Sequence, residues 1–427
     1  MSRACDRRQF LGQTAALATA FSMVHAAGSA RADAPPETLG VALVGTNNRG
    51  SQLAPAFASQ PGVEIRYVCD PEDGALQKGL KAVAVKQRKV PQAVRDFRRA
   101  LDDKAVHAVV IATPDHWHAP AAILACAAGK HVYVEKPASH NGREGELLVA
   151  AARKHQRVVQ LGTQRRSSDS IVTAIARLHA GELGRVLLSR AWTTSLRQPI
   201  GHGTQVPVPS TLDYDLWQGP AVERPYVDNL VHYNWHWFWN YGTGEVGNNS
   251  IHALDLCRWG LKVDYPHRVT SGGGRYHFDD DQQTPDTLIS TFDFDGASIT
   301  NEMRTWNRQP IEGSEFGAAF YGEKGTLVIG KAITFYDPKG KQLEQSPVKV
   351  SNNTHVANFF QAIREGSPLT AEIEEGVKST ALCHLANIAY RTGRTVNFDP
   401  AKACITGDDE AATLWTREYR RGWEPKI

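Results

Sequence analysis

The sequence predicts an α/β protein in which a doubly wound parallel sheet is followed by a second α/β domain with a large, mostly antiparallel open sheet. Between residues 39 and 162, short apolar strand-like runs alternate with helical stretches, which is the pattern of consecutive βαβ units. Further along, strand-like runs follow one another closely and are joined by turn dipeptides such as Asp295-Gly296, which favours antiparallel hairpins. Because 427 residues exceed what one ordinary core holds, we expect two domains, at residues 33–165 and 166–427.

The first 32 residues are typical of an export signal and are not expected to belong to the fold. An Arg-Arg-Gln-Phe-Leu run at 7–11 precedes a weakly apolar, alanine-rich stretch, and Ala-Arg-Ala at 30–32 offers a small-x-small cleavage site. These features indicate a twin-arginine signal peptide. A membrane anchor is the alternative, but the apolar stretch is short for one. We therefore expect a periplasmic or secreted protein whose mature form has no membrane segment.

Removal of this signal changes the charge balance of the chain. Residues 1–32 hold four of the 48 basic and one of the 45 acidic residues, so the remainder carries 44 of each. A formally neutral chain gives no support for nucleic-acid binding. The five cysteines beyond residue 32 are widely spaced, and they indicate neither a disulfide framework nor a metal site.

The first predicted strand, at 39–44, runs directly into Gly-Thr-Asn-Asn-Arg-Gly at 45–50, and a helix and a second strand ending in Asp70 follow. This order of strand, glycine loop, helix, strand and acid is that of a dinucleotide-binding Rossmann unit. The third loop position, a glycine in the fingerprint, is Asn47 here, and asparagine tolerates left-handed backbone angles better than most residues. The loop residues expected to contact the cofactor are Gly45, Asn47, Asn48, Arg49 and Gly50.

Asp70 also indicates which dinucleotide is bound. It lies twenty residues beyond Gly50, where a carboxylate accepts hydrogen bonds from ribose hydroxyls and repels a 2′-phosphate. NAD is therefore expected, with NADP less favoured. A Rossmann-like fold that binds no cofactor is the alternative interpretation of this region.

Three more predicted strands, at 105–112, 132–134 and 157–162, end in polar residues. The carboxyl ends of parallel strands meet at one edge of the sheet, where ligands bind, so these polar residues are candidates for the cofactor site. They are Thr113, Pro114, Asp115 and His118 after the first strand, Glu135 and Lys136 after the second, and Gln164 and Arg165 after the third. A turn closed by Asp115 and a surface salt bridge at Glu135-Lys136 are the purely structural alternatives.

Beyond the parallel sheet the pattern changes. Residues 196–247 are irregular and rich in aromatic side chains. Their densest run includes Tyr233 and Trp235, whose ring faces suit a sugar, although a plain core is an equal interpretation. Two late helices are predicted at about 353–364 and 374–392. Strands are predicted at 185–193, 286–294, 297–305, 315–321, 325–329 and 333–336.

Several motifs make the chain resemble one family. They are Ala-Thr-Pro-Asp-His-Trp-His at 112–118, Val-Glu-Lys-Pro at 134–137, Leu-Asp-Tyr-Asp-Leu-Trp-Gln-Gly-Pro at 212–220 and Gly-Asn-Asn-Ser-Ile-His-Ala-Leu-Asp at 247–255. With the glycine loop, they resemble the Gfo/Idh/MocA oxidoreductases, and within that family the exported twin-arginine branch. The resemblance implies an N-terminal Rossmann domain and a C-terminal α/β domain whose open sheet often mediates homo-oligomers. It also implies reversible hydride transfer between a sugar or polyol carbon and a nicotinamide.

The resemblance assigns roles to individual residues. Lys136 corresponds to the residue that stabilises the developing alkoxide, and the family's Asp-x-x-x-His pair falls on Asn248 and His252. Asn248 cannot take a proton, so His252 is the expected general base, and the spacing of four puts both on one helical face. Asn248 is expected to orient the substrate or the lysine. The expected substrate contacts are Lys136, Arg165, Tyr233, Trp235, Asn248 and His252.

Three functions are compatible with these features. The first is a nicotinamide-dependent oxidoreductase acting on the CH–OH groups of a sugar, polyol or sugar derivative. The second is a glycoside hydrolase that uses bound NAD transiently, by oxidation at C3 and elimination, which the long aromatic stretch would suit. The third is a non-catalytic carbohydrate-binding protein.

Overall fold

The computed structural model describes residues 36–427, so the predicted export signal at 1–32 lies outside the described residues. The described part of the chain contains a six-stranded and a ten-stranded sheet. The predicted fold class is confirmed, because the first sheet is parallel and the second is mostly antiparallel. Within residues 36–427, no helix combines the length and the apolar character needed to cross a bilayer.

The six-stranded sheet is parallel throughout. Its strands are β1 (Leu39–Val44), β2 (Val63–Cys69), β3 (Gln92–Val94), β4 (Ala108–Ile111), β5 (His131–Val134) and β6 (Val159–Leu161). Their order in space is β3-β2-β1-β4-β5-β6. The winding therefore reverses between β1 and β4, and a crevice for ligands opens at the carboxyl ends of the strands at such a point.

Helices cover both faces of this sheet. They are α1 (Arg49–Ala58), α2 (Asp73–Ala84), α3 (Arg98–Asp102), α4 (Asp115–Ala127) and α5 (Gly142–Lys154). The central strands β1 and β4 are apolar and buried on both sides, as central parallel strands in a layered α/β fold must be. All six residues of β1 are buried.

The ten-stranded sheet is built from the second half of the chain. Its strands are β7 (Val186–Thr194), β8 (Arg268–Gly274), β9 (Thr287–Phe294), β10 (Ala297–Arg304), β11 (Phe316–Gly322), β12 (Gly325–Ile329), β13 (Ala332–Tyr336), β14 (Gln342–Pro347), β15 (Val396–Asp399) and β16 (Cys404–Thr406). In the order β14-β13-β12-β11-β7-β10-β9-β8-β15-β16, the β7–β10 pair is parallel and the other neighbours are antiparallel.

The helices of the second half are α6 (Asp169–His179), α7 (Tyr214–Gln218), α8 (Ile251–Leu261), α9 (Asn352–Glu365), α10 (Ile373–Thr392) and α11 (Asp409–Thr413). Leu254 of α8 and Leu385 of α10 belong to the core on the inner face of the ten-stranded sheet, together with Phe320. On the sheet itself, Leu188 and Ile289 remain 36% and 57% exposed.

Helix α9 packs on the parallel sheet although it comes late in the sequence. Its Phe359 and Phe360 contact Phe57 of α1, and Phe359 also contacts Tyr133 of β5. These rings are fully buried, so the second half of the chain completes one of the two cores of the first sheet.

Several elements were not predicted from the sequence. They include the edge strands β3 and β14, the glycine-ended strand β8, and the helices α2 and α6. Strand β14 is polar and mostly exposed, so it lacks the apolar alternation that identifies a strand. The elements that hold the ligand crevice were predicted to within three residues.

Candidate functional site

A cavity opens at the carboxyl edge of the parallel sheet and is closed from the other side by the second half of the chain. Most of the predicted site residues line it: Gly45, Asn47, Asn48, Arg49, Asp70, Thr113, Pro114, Asp115, His118, Glu135, Lys136, Tyr233, Trp235 and Asn248. Gly50, Gln164, Arg165 and His252 do not line it. The structure therefore brings the predicted residues of the parallel sheet and those of the 233–248 stretch together in one crevice.

The glycine loop needs glycine at two positions and not at a third. Gly45 has a φ of +81°, and a Cβ there would lie 2.6 Å from the Ala112 carbonyl oxygen. A Cβ on Gly50 would lie 1.9 Å from the Gly45 oxygen. Asn47 does not have positive φ, so the left-handed conformation that asparagine tolerates is not required at this position. The loop tolerates a side chain here because the backbone is ordinary, and the Asn47 side chain accepts a hydrogen bond from Lys78 Nζ at 2.6 Å.

Asp70 ends β2 beside this loop and is only 8% exposed. Its two carboxylate oxygens accept hydrogen bonds from the backbone N–H groups of Thr46 (2.7 Å) and Glu72 (3.1 Å). Burial raises the pKa of Asp70 to about 7, against the opposing effect of these two bonds. The carboxyl group is therefore held rigidly and titrates near neutrality.

Lys136 lies where β5 ends and reaches across the crevice. Its Nζ donates to the backbone oxygen of Asn248 at 2.6 Å and to the Asn248 side-chain oxygen at 3.2 Å. Burial lowers the pKa of Lys136, and the nearby carboxylates of Glu135 and Asp115 oppose that shift. No side-chain carboxylate within the described chain forms an ion pair with this ammonium group, which leaves it able to donate to a ligand oxygen.

Glu135 holds a different partner from the one predicted. Its Oε1 accepts from Arg49 Nε at 2.8 Å, and its Oε2 meets only the backbone N–H of Lys136, at 3.3 Å. The purely structural alternative, a surface salt bridge between Glu135 and Lys136, is therefore not what the structure shows. The Glu135 side chain is nearly buried and cannot fold back to its neighbour, so it ties the start of α1 to the end of β5.

Asn248 connects Lys136 to a buried carboxylate. Its side-chain nitrogen donates to Glu245 Oε2 at 3.2 Å, and Glu245 is fully buried. Arg197 donates from Nη2 to both Glu245 oxygens (3.0 and 2.9 Å) and from Nη1 to the Tyr233 hydroxyl at 3.0 Å. The sequence analysis missed Arg197, which stands in an irregular stretch without any motif.

Asp115 and His118 line the same cavity as Lys136. The Thr243 hydroxyl donates to Asp115 Oδ2 at 2.6 Å. The His118 ring nitrogens lie 2.6 Å from the Pro137 oxygen and 2.9 Å from the Thr113 oxygen. Both side chains are thus engaged by the protein, and their contact with a cofactor stays a prediction.

His252 is half-buried and does not line the cavity. A π-helical turn at Val246–Ser250 precedes α8, so Asn248 and His252 do not share one regular α-helical face. The shared-face prediction is therefore wrong, because the wider turn shifts the register. Burial, and then the charges of Lys136 and Arg165, hold the pKa of His252 well below its usual value. Its imidazole is neutral at physiological pH, and Nδ1 is buried with no hydrogen-bond partner in residues 36–427.

The aromatic run is partly a buried core and partly a wall of the cavity, which are the two interpretations that the sequence left open. Trp235 stacks on His236 with ring centroids 3.5 Å apart, and it belongs to a buried cluster with Trp217 and Tyr241. Tyr233 and Trp235 also line the cavity. The run is therefore a core whose edge forms part of the crevice wall.

Two family models match the chain. The model described as the NAD-binding Rossmann fold of the Gfo/Idh/MocA oxidoreductases matches residues 39–163, and the model of their C-terminal α/β domain matches residues 198–425. The predicted NAD-binding type of the first domain is thereby confirmed. The second model alone covers more than half of the chain.

Three individual proteins are similar to the chain. A glycosyl hydrolase family 109 protein of Saccharopolyspora erythraea is 32% identical over 168 residues, which are 38% of this chain and 36% of that protein. A levoglucosan dehydrogenase of Pseudarthrobacter phenanthrenivorans is 28% identical over 238 residues, which are 52% and 51% of the two chains. The crystal structure of an aldose-aldose oxidoreductase from Caulobacter crescentus has a TM-score of 0.65 at 19% identity, covering 84% of this chain and 100% of that one. The chain thus spans about a third and about half of the two curated relatives.

The residues of the glycine loop fit NAD. The backbone at Gly45 and Gly50 leaves no room for side chains, as a loop that cradles a pyrophosphate requires. The hydroxyl of Thr113, whose backbone lies beside Gly45, is buried without a partner in the described chain. Together with Asp70 it supplies polar groups that a dinucleotide would satisfy.

Proposed function

Because the chain belongs to the Gfo/Idh/MocA oxidoreductase family, we propose that it is an NAD-dependent dehydrogenase acting on a sugar, polyol or sugar derivative. The observation that carries the proposal is the Lys136 ammonium group, half-buried in the crevice beyond β5 and held by two oxygens of Asn248. The similarity to a levoglucosan dehydrogenase supports the substrate class. The carboxylate of Asp70 favours NAD over NADP.

In the proposed reaction, bound NAD supplies the hydride acceptor. Lys136 donates a hydrogen bond to the substrate hydroxyl and stabilises the negative charge that develops on its oxygen. Asn248 fixes the position of Nζ, and the Arg49–Glu135 pair fixes the backbone of Lys136 from behind. His252 is the proposed proton acceptor because it corresponds to the histidine of the family's Asp-x-x-x-His pair; its imidazole is neutral, and burial and the Lys136 and Arg165 charges make it a weaker base than a free histidine.

The proposal is tested on the purified protein with a panel of sugars and polyols. We expect nicotinamide to be retained, or bound when added, and NADH to form with at least one member of the panel. Absorbance at the NADH band and mass analysis of the denatured supernatant provide the two measurements. A protein that neither retains nor binds nicotinamide would exclude the proposed function.

A glycoside hydrolase that oxidises and re-reduces its substrate is the second candidate. The similarity to a glycosyl hydrolase family 109 protein favours it, as do the aromatic side chains at the crevice edge. In that case the same Lys136 would stabilise the alkoxide at C3, and an elimination would then expel the aglycone. Release of nitrophenol from aryl glycosides with no net formation of NADH would identify this activity, whereas sugar-dependent NADH formation would identify the dehydrogenase.

The affinity for NADH is expected to depend on pH through Asp70. Ribose hydroxyls donate to the ionised carboxylate, and the pKa of Asp70 is raised to about 7 by burial. Protonation therefore removes acceptors, and affinity should fall about tenfold between pH 8 and pH 6. Quenching of tryptophan fluorescence by NADH measures this change. Asp70→Asn should bind weakly at both pH values, and a wild-type affinity that is flat over this range would contradict the assignment.

We also propose that residues 1–32 direct export by the twin-arginine route. A variant with Arg7→Lys and Arg8→Lys is expected to accumulate in the cytoplasm, because the paired arginines are the recognised feature of such signals. Cell fractionation followed by immunoblotting measures the distribution. An unchanged distribution between the compartments would contradict this proposal.

We propose further that the ten-stranded sheet forms a homo-oligomer interface. Leu188 and Ile289 are exposed on neighbouring parts of this sheet, where apolar side chains favour contact with a second copy. Light scattering after size-exclusion chromatography should give a dimer or tetramer mass for the wild type and a smaller mass for Ile289→Asp. A monomeric wild-type mass would contradict this proposal.

A further inference from the structure

Arg165 is a cation for which the described chain provides no counterion. It follows β6, is half-buried, and its Nη1 is fully buried with no hydrogen-bond partner in residues 36–427. The guanidinium lies over the Phe316 ring, with its central carbon 4.2 Å from the ring centroid. Burial alone lowers the pKa of Arg165 to about 10, and no carboxylate contributes an opposing effect.

The other arginines around the crevice are all neutralised. Arg49 pairs with Glu135, Arg197 with Glu245, and the neighbouring Arg166 makes a bidentate pair with the buried Asp255. A buried charge without a partner is unfavourable. Arg165 therefore differs from its neighbours in having its donors free for a ligand.

Arg165 does not line the cavity, but it lies next to His252, on the side of the site where β5 and β6 end. Strand β6 pairs directly with β5, in a register that sets Leu161 beside Val134, so the residues that follow these strands are neighbours. The ring of His252 also meets Phe316, at 6.5 Å between centroids, and the charges of both Lys136 and Arg165 act on His252. The strand order separates β6 from the glycine loop after β1 by three strand spacings, about 14 Å.

This position excludes the cofactor pyrophosphate as the natural counterion of Arg165. A ligand whose hydroxyl oxygen accepts a hydrogen bond from Lys136 would extend past His252 towards Arg165. The guanidinium packs on Phe316 and its buried Nη1 has no partner in the described chain, so its N–H groups are available to bind a carboxylate through two parallel hydrogen bonds. Gln164 Oε1, buried without a partner in the described chain, adds an acceptor for a neighbouring hydroxyl.

We propose that the substrate is a sugar acid, whose carboxylate binds Arg165 while a ring or chain hydroxyl binds Lys136. The proposal rests on the proposed dehydrogenase function and narrows its substrate class. It assigns Arg165 to substrate recognition, with Phe316 as the residue that orients it.

The test compares binding of acidic sugars and their neutral counterparts to the full chain loaded with NADH. The probes are D-glucuronate against D-glucose, D-galacturonate against D-galactose, and D-gluconate against D-glucitol. Binding of each probe is measured by thermal shift and by titration calorimetry. At least one acid is expected to bind tenfold or more tighter than its neutral partner, since charge-assisted bidentate bonds are strong. Arg165→Gln should abolish this preference for the acid over its neutral partner, and Arg165→Lys should restore part of it.

Arg391→Gln is the matched control, because Arg391 also stacks on an aromatic ring, that of Trp239, at 5.1 Å. It should keep the preference for the acid. The inference is overturned if no acid binds tighter than its neutral partner, or if the preference persists in Arg165→Gln. NADH binding is measured first for the wild type and every variant. A wild type that does not bind NADH would overturn the proposed function. A wild type that binds NADH but shows no preference for the acid would overturn this inference alone.

Discussion

Replacement of Lys136 by methionine is expected to lower kcat by about 10²–10³-fold without a comparable loss of NADH affinity. Methionine fills the space of the lysine stem but cannot donate to an oxygen that gains negative charge. In the wild type, Nζ is positioned by Asn248 at 2.6 and 3.2 Å, and the donor therefore needs no reorganisation during the reaction. Steady-state rates with the best substrate of the panel, together with NADH titrations, measure the two quantities.

Lys130 provides a matched control at the opposite end of the same strand. It is also buried, and its Nζ donates to the backbone oxygens of Asp103 and Val106, both at 2.9 Å. Lys130→Met should lower the thermal midpoint and leave kcat nearly unchanged. Equal losses of kcat in the two variants would mean that Lys136 acts through stability alone, and an unchanged kcat in Lys136→Met would rule out its catalytic role.

A pH profile gives Lys136 a further signature. Because burial lowers its pKa from 10.5, the ammonium form is lost as pH rises through the lowered value. The rate of alcohol oxidation should therefore decline on the alkaline side at a pH below 10.5. This decline should be missing from the residual activity of Lys136→Met, which has no group to titrate there.

The parts of the site that sequence could predict are those with a local pattern. The Gly45–Gly50 loop, Asp70 and the Glu135-Lys136 edge each follow a buried strand, so strand prediction also positions them. Arg197 and Phe316 could not be predicted in this way. Their partners Glu245 and Arg165 are 48 and 151 positions distant in the chain, and neither pair belongs to a periodic segment.

The incorrect predictions have a common physical origin. The alternative that paired Glu135 with its neighbour Lys136 fails because Glu135 binds Arg49 and Lys136 binds Asn248. The four-residue spacing of Asn248 and His252 assumed an α-helix, and the π-helical turn changes which of them faces the cavity. In each case tertiary contacts outweighed an inference from adjacent positions.

The series of hydrogen bonds from Lys136 through Asn248 to Glu245 explains why an asparagine is present where the resemblance implies an aspartate. Asn248 accepts from Lys136 and donates to Glu245 at 3.2 Å, which a carboxylate cannot do. The acid of this site lies three residues earlier, at Glu245, where Arg197 holds both of its oxygens. An aspartate at 248 would place two carboxylates side by side in a buried position.

Asn248→Asp is therefore expected to destabilise the protein by about 2 kcal/mol at pH 7. Repulsion raises the pKa of one of the two carboxyl groups in the folded state above its unfolded value. The folded variant then binds the extra proton, so its stability relative to wild type should be best near pH 5 and should fall as pH rises towards 8. Thermal midpoints measured at both pH values test this sign, and a deficit that is independent of pH would contradict the like-charge explanation.

The double variant Glu245→Gln with Asn248→Asp moves the carboxylate by three positions and restores a donor beside it. We expect it to be more stable than the sum of the single effects by about 1–3 kcal/mol, the coupling typical of side chains in direct contact. Recovery should be partial, because Arg197 loses its bidentate carboxylate. If the stability changes of the two single variants simply add, Asn248 and Glu245 are not coupled. The position of the carboxylate then does not affect how Lys136 is held. If they couple and kcat also recovers, either position can hold the carboxylate that supports Lys136.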